Sequence, residues 1–241
     1  MVLGQIALRR AFLLVIGAAA AAACSGETSS SGNPNSPSGS GSGSTGTCRT
    51  FPTAATVTTT SAGQTITAQL TGAFDTSTNR STVTSVLPNG ATCTSSVSSY
   101  RSKDDFVDEV RVIPGLFMQT STTTTNTACG TGTFTTNYNY DSQRRLTSTT
   151  TTVFGVSTAT TYTAWDSSGR PTLGSFPGTT ITNAYNDATR TWVQTQTAGG
   201  VTSTTTMTFD ANGNQVTVVN TSGNFTSTAA YNTTTTTRVC K

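Results

Sequence analysis

Alternation with a period of two residues constrains this chain more than any other feature. Val201, Met207 and Phe209 share one parity, while Thr202, Thr204, Thr206 and Thr208 take the other. Phe134, Tyr138 and Tyr140 form a second such set, and Phe225, Ala229 and Tyr231 a third. Successive side chains of a strand point to opposite faces, so the pattern puts one face on a core and a Thr-covered face in water. Thr occurs 59 times and Ser 28 times among 241 residues, while charged residues make only 10%. Branched and aromatic side chains pack well on a pleated surface, and here they run between Gly, Asn, Asp and Pro breakers. No helical period is sustained between residues 48 and 241. The nearest approach, Ser102 to Val112, ends in Val110-Arg111-Val112 and reads equally well as loop then strand. The expectation is an all-β, antiparallel domain.

A repeat organises its C-terminal half. Aromatic-plus-acid turns read Tyr140-Asp141-Ser-Gln-Arg144-Arg145 and Trp165-Asp166-Ser-Ser-Gly169-Arg170. Then come Tyr185-Asn186-Asp187-Ala-Thr-Arg190 and Phe209-Asp210-Ala-Asn-Gly213-Asn214, with Tyr231-Asn232 as a decayed fifth copy. The aromatics are 25, 20, 24 and 22 residues apart, a length that fits two strands and two turns. Asp or Asn opening such a turn accepts backbone N–H groups, and a Gly at its end takes the left-handed conformation. Second turns fall between them at Pro177-Gly178, Ala198-Gly199-Gly200 and Ser222-Gly223. Strand, turn, strand, turn makes an antiparallel meander of hairpin-sized repeats forming a curled or partly closed sheet.

These turns resemble the YD-repeat, or Rhs-type, family of bacterial surface and secreted proteins. Trp165-Asp166-Ser-Ser-Gly169-Arg170 is the nearest match to that family's Tyr-Asp-x-x-Gly-Arg core. Other copies depart from it: Arg144 and Thr189 stand in the Gly position, and Asn214 in that of the Arg. The resemblance covers about residues 132–232, and Phe74-Asp75 reads as an older copy. It implies a β-rich fold and a location at or beyond the cell surface. Large members wrap strands into a toxin-enclosing shell, for which this chain has too few repeats.

The N-terminus points to export. Arg9 and Arg10 precede an apolar stretch, Ala11 to Ala23, that is shorter than the roughly 20 apolar residues of a membrane-spanning helix. Ala21-Ala22-Ala23-Cys24 resembles the lipobox of bacterial lipoproteins, and the resemblance implies acylation of Cys24. Ser25 in the next position implies sorting to the outer membrane. Residues 25–47, of which 15 are Ser or Gly, carry no hydrophobic residue and so cannot offset the entropy of ordering. They form a tether reaching about 25–30 Å at ~5–6 Å times the square root of its length. The division is therefore a signal peptide (1–24), a Ser/Gly-rich tether (25–47) and a Thr-rich β-domain (48–241). Cys48, Cys93, Cys129 and Cys240 are an even set in an exported chain and suggest two disulfides, with three connectivities open. No Cys-x-x-Cys pair supports a zinc site.

Composition removes several functions. His is absent, so no Ser-His-Asp or Cys-His unit and no His-ligated zinc or haem can form. Losing Arg9 and Arg10 with the signal leaves 11 basic residues against 10 acidic, too even a balance to neutralise a row of phosphates. Nucleic acid is not an expected partner, and no cofactor, metal or catalytic residue is expected. Asp75, Asp141, Asp166, Asp187 and Asp210 are explained as turn residues, together with Gly169, Arg170 and Gly213. Asp104, Asp105, Asp108 and Glu109 form the densest charge and the only basis for a carboxylate-dependent hydrolase. Trp165 and Trp192, if exposed, would serve a carbohydrate-binding module. Arrays of Thr suggest ice binding, but the irregular repeat spacing argues against register. The leading expectation is a lipid-anchored envelope lipoprotein of structural or adhesive role. Its partners would be the membrane, through the lipid on Cys24, and a glycan or protein ligand at the cell surface.

Overall fold

A computed structural model of the protein describes residues 48–100, 119–126, 132–211 and 214–240. Cys24, the tether, Cys129, Gly213 and the acidic group Asp104–Glu109 lie outside the described residues. Fourteen strands and no helix occur among those described. They are β1 (Cys48–Ser61), β2 (Gln64–Asp75), β3 (Arg80–Val86), β4 (Thr92–Tyr100), β5 (Gln119–Asn126), β6 (Gly132–Tyr140) and β7 (Leu146–Val153). There follow β8 (Val156–Trp165), β9 (Pro171–Phe176), β10 (Thr179–Asn186), β11 (Thr191–Ala198), β12 (Val201–Phe209), β13 (Gln215–Ser222) and β14 (Phe225–Cys240). Each strand pairs antiparallel with its neighbours in sequence, as a meander must.

The sheet then closes completely, because β1 and β14 pair antiparallel from Cys48↔Cys240 to Ser61↔Ser227. Closure removes both edges, which would otherwise offer unpaired N–H and C=O groups to other chains. Near the seam, β1 is bulged between Pro52 and Ala55, where Pro52 has no N–H to give the ladder. Its carbonyl instead approaches Gly72 of β2, at a point where a Cβ would collide with it. The connections alternate between two rims. The turns after β2, β6, β8, β10 and β12 open on acids or Asn at one rim. Turns at Gly63, Gly155, Gly178, Gly199-Gly200 and Gly223, all left-handed, lie at the other.

The faces follow the alternation on one side of the barrel. Val57, Met207, Phe209, Val218 and Ala229 form a buried cluster, with Leu70, Tyr185, Trp192 and Tyr231 packed against it. Thr residues on the outer face pair across strands, as in Thr208–Thr217 (2.6 Å) and Thr60–Thr65 (3.1 Å). Through β3 to β5 the pattern differs, because small hydroxyl residues point inward there. Ser85, Thr94, Ser96, Ser98, Thr122 and Thr124 are all buried. They satisfy one another in pairs: Ser85–Thr94 at 2.8 Å, Ser96–Thr124 at 2.8 Å and Ser98–Thr122 at 3.0 Å. A hydroxyl that both donates and accepts can be buried without an orphaned atom. Thr therefore serves both faces of this sheet.

Tyrosines inside the barrel give it a pH limit. Burial raises the pKa of Tyr162 to about 12, and it also raises those of Tyr138, Tyr185 and Tyr231. A group whose folded pKa exceeds its unfolded value of about 10 contributes stability that is complete below that pH. The contribution is lost as pH rises through the folded value. The barrel is expected to hold to about pH 10 and to unfold cooperatively between about pH 10 and 12. Phenolate absorbance followed with circular dichroism tests this. Ionisation of all tyrosines near pH 10 with the strand signal unchanged would refute it.

Candidate functional site

The rim of acid turns carries the ion pairs and most of the aromatic contacts of the described residues. Its unit is visible at Asp166. The Asp166 amide donates to the Arg170 carbonyl (2.9 Å), and the Gly169 amide to the Asp166 carbonyl (3.0 Å). Asp166 Oδ1 accepts the amides of Ser168 and Arg170 at 3.0 and 2.9 Å. Its Oδ2 takes the Arg170 Nε–H at 2.6 Å. One carboxylate thus closes the turn and fixes the arginine that ends it. The bend needs a left-handed residue, supplied by Gly169 at φ +75°, where glycine pays no Cβ penalty.

The first turn repeats this unit with Asp141 and Arg145, whose Nε–Oδ2 distance is 2.7 Å. Arg144 takes the left-handed position at φ +62° in place of Gly, at a cost of roughly 1 kcal/mol. Bonds from the Arg145 amide first, and then its guanidinium, hold the Asp141 carboxyl below its ordinary pKa. In the fourth turn Asn214 replaces the arginine and still reaches Asp210, with its amide at 2.8 Å and Nδ2 at 3.0 Å. Asp75 opens the turn after β2 on the same rim. Bonds from Ser77 and Thr78 lower its pKa to about 2. The third turn is built otherwise: Asn186 Oδ1 accepts the Thr189 amide at 3.1 Å, and Arg190 is left-handed at φ +50°. Asp187 is thereby freed to reach across the rim.

Arginines couple one turn to the next. Arg170 Nη1 and Nη2 meet the Asp187 carboxylate at 2.6 and 3.1 Å, and the guanidinium lies 4.4 Å from the centre of the Tyr185 ring. The Tyr185 hydroxyl then donates to the Pro171 carbonyl, the residue after Arg170, at 3.0 Å. One turn earlier, Arg145 lies 4.5 Å over Trp165, and Trp165 Nε1–H donates to the Leu146 carbonyl at 2.9 Å. In each case the arginine ending one turn stacks on the aromatic of the next, which bonds back to the strand following that arginine. The Arg170 side chain is 7% exposed, whereas its partners Asp166 and Asp187 keep 22% and 62% of their side-chain surface in water. Burial opposes its charge, but the Asp187 and Asp166 carboxylates outweigh this and raise its pKa.

At the last junction an asparagine stands in the place of the arginine. Where Asn214 stands, Asn214 Oδ1, both polar atoms of Gln215 and the Tyr231 hydroxyl are buried without a well-formed hydrogen bond among the described residues. The coupling role of Arg145 and Arg170 was not apparent from the sequence, which marked only their turns. The available signal was an arginine closing three of the turns, Arg145, Arg170 and Arg190, in a chain with 13 basic residues.

Trp165 and Trp192 are both half-buried, and the Trp192 Nε1–H donates to Asn183 Oδ1 at 3.2 Å. Each indole N–H is therefore committed within the barrel. Cys93 is disulfide-bonded and 2% exposed, at the start of β4. Cys48 and Cys240 are the terminal partners of the β1–β14 pair. No group of three or more potential metal ligands occurs among the described residues. No protein-family model matches the chain, and no curated protein matches it.

Proposed function

We propose that this protein is a lipid-anchored lipoprotein of the bacterial cell envelope whose barrel has a non-catalytic structural or adhesive role. One observation supports the reading: β1 begins at Cys48 on the acid-turn rim, so a tether over residues 25–47 would enter the barrel there. An anchor on Cys24 would then attach the barrel from that rim and leave the glycine-turn rim free. The free rim presents apolar hairpin tips, with Phe154 75%, Val156 69% and Val201 61% exposed. These are suited to contact with another surface. The faces of the wall agree with a barrel standing in water. A barrel in lipid needs an apolar outer band with aromatic girdles, whereas here Thr covers much of the outside and Tyr138, Tyr162, Tyr185 and Trp192 point in. The described acids are engaged in turns or, for Asp187, in the pair with Arg170, and the half-buried indoles do not favour a glycan platform.

The test is fractionation of cells expressing the full chain. Wild type is expected in the detergent-soluble membrane fraction and to incorporate labelled palmitate. Cys24→Ala is expected to lose the label and to leave the membrane. Unchanged membrane association of Cys24→Ala would overturn the anchor.

A further inference from the structure

We propose that Cys48 and Cys240 form a disulfide that locks the seam of the barrel. The two residues stand opposite one another as the last pair of the β1–β14 ladder, followed by Arg49↔Val239 and Thr50↔Arg238 in unbroken register. Opposed residues of an antiparallel pair have Cα atoms about 4.5–5.5 Å apart, inside the roughly 4.4–6.8 Å that a disulfide spans. The competing pairings are removed by the topology. Cys93 lies between Thr92 and Thr94, which pair with Val86 and Ser85; these lead through Gln69 and Leu70 to Thr56 and Ala55 of β1. That level is seven residues along β1 from Cys48, about 20 Å at ~3.3 Å per residue. The disulfide of Cys93 therefore joins neither Cys48 nor Cys240, and of the three connectivities of the four domain cysteines only one remains.

The bond does more than tie two termini. β1–β14 is the one pairing in the barrel between strands distant in sequence, and no turn holds it. Every other neighbouring pair is joined by its own connection. Opening the seam would expose two edges of a long sheet, and the crosslink blocks that opening at the end where fraying would start. The chemistry is two thiols losing two protons and two electrons to a disulfide-bearing thiol oxidant. That oxidant is reduced to its dithiol as the new S–S bond forms.

Peptide mapping of the oxidised full chain tests the pairing directly. Trypsin should release the tripeptide Val239–Lys241 joined to the peptide ending at Arg49, and reductant should separate them. Finding the tripeptide joined to Ser81–Arg101, or with a free thiol, would overturn the proposal. Hydrogen exchange tests the lock without relying on a variant. Amides of residues 233–240 are expected to exchange at least about tenfold faster after reduction, while those of β10 and β11 change little. Equal rates before and after reduction would show that the seam is not held by this bond. Cys240→Ser should reproduce the fast exchange and make it insensitive to reductant.

Discussion

Arg170→Met is expected to destabilise the barrel by about 2–4 kcal/mol. The guanidinium joins Asp166 at 2.6 Å and Asp187 at 2.6 Å while stacking on Tyr185. Removing one member of a buried pair typically costs about 3–5 kcal/mol, because a charge is left without its partner. Here the cost is reduced by solvent, since Asp187 is 62% exposed and Asp166 22%, and screened pairs contribute little. Methionine keeps the apolar stem, so the loss reports the fork and the stack rather than a cavity. Urea unfolding at pH 7 measures the effect. Arg170→Lys, with a charge but no fork, should fall between wild type and Arg170→Met. A change below about 0.5 kcal/mol in Arg170→Met would mean that the turns are held independently.

Gly72→Val is expected to have the other large effect, reaching about 3 kcal/mol or more. A Cβ at Gly72 would run into the Pro52 carbonyl oxygen and lie 3.5 Å from the Thr82 carbonyl oxygen. Both are backbone atoms of flanking strands, so no side chain can turn aside. Overpacking of this kind costs about 1–3 kcal/mol for small insertions, and valine adds two further methyl groups. The contrast is Gly63→Ala in the turn after β1. Nothing lies within 4 Å of its would-be Cβ, and its φ of +76° is the only obstacle. That variant should cost about 1 kcal/mol. Thermal unfolding of the two side by side tests the argument. Equal losses would show that the bulge at Pro52 relaxes freely.

The two variants probe different levels of the structure. Arg170 links adjacent turns, whereas Gly72 permits the irregular approach of β1 to β2 beside the closing seam. The tyrosines add a third level, since their pH limit reflects the interior as a whole. Tyr162 lies over Gly174, where a Cβ would come within 2.7 Å of its ring. The aromatic therefore covers a strand position that carries no side chain of its own.

Much of this was written locally in the chain. A strand exposes its faces alternately whatever it packs against, so the parity of Met207, Phe209, Ala229 and Tyr231 was enough to mark a core face. The turns at Asp141, Asp166 and Asp210 were legible for a similar reason, because their bonds run between residues no more than four apart. Three features were decided only in three dimensions. The inward hydroxyls of Ser96, Thr122 and Thr124 look in sequence like any other Thr-rich face, since their burial depends on neighbours that pair with them. The couplings Arg145–Trp165 and Arg170–Tyr185 span 20 and 15 residues, and they exist because register brings successive turns to one rim. Closure between β1 and β14 joins the two ends of the domain. Local periodicity specifies which way each strand faces; whether fourteen of them meet depends on the accumulated twist, tilt and register of every pair between.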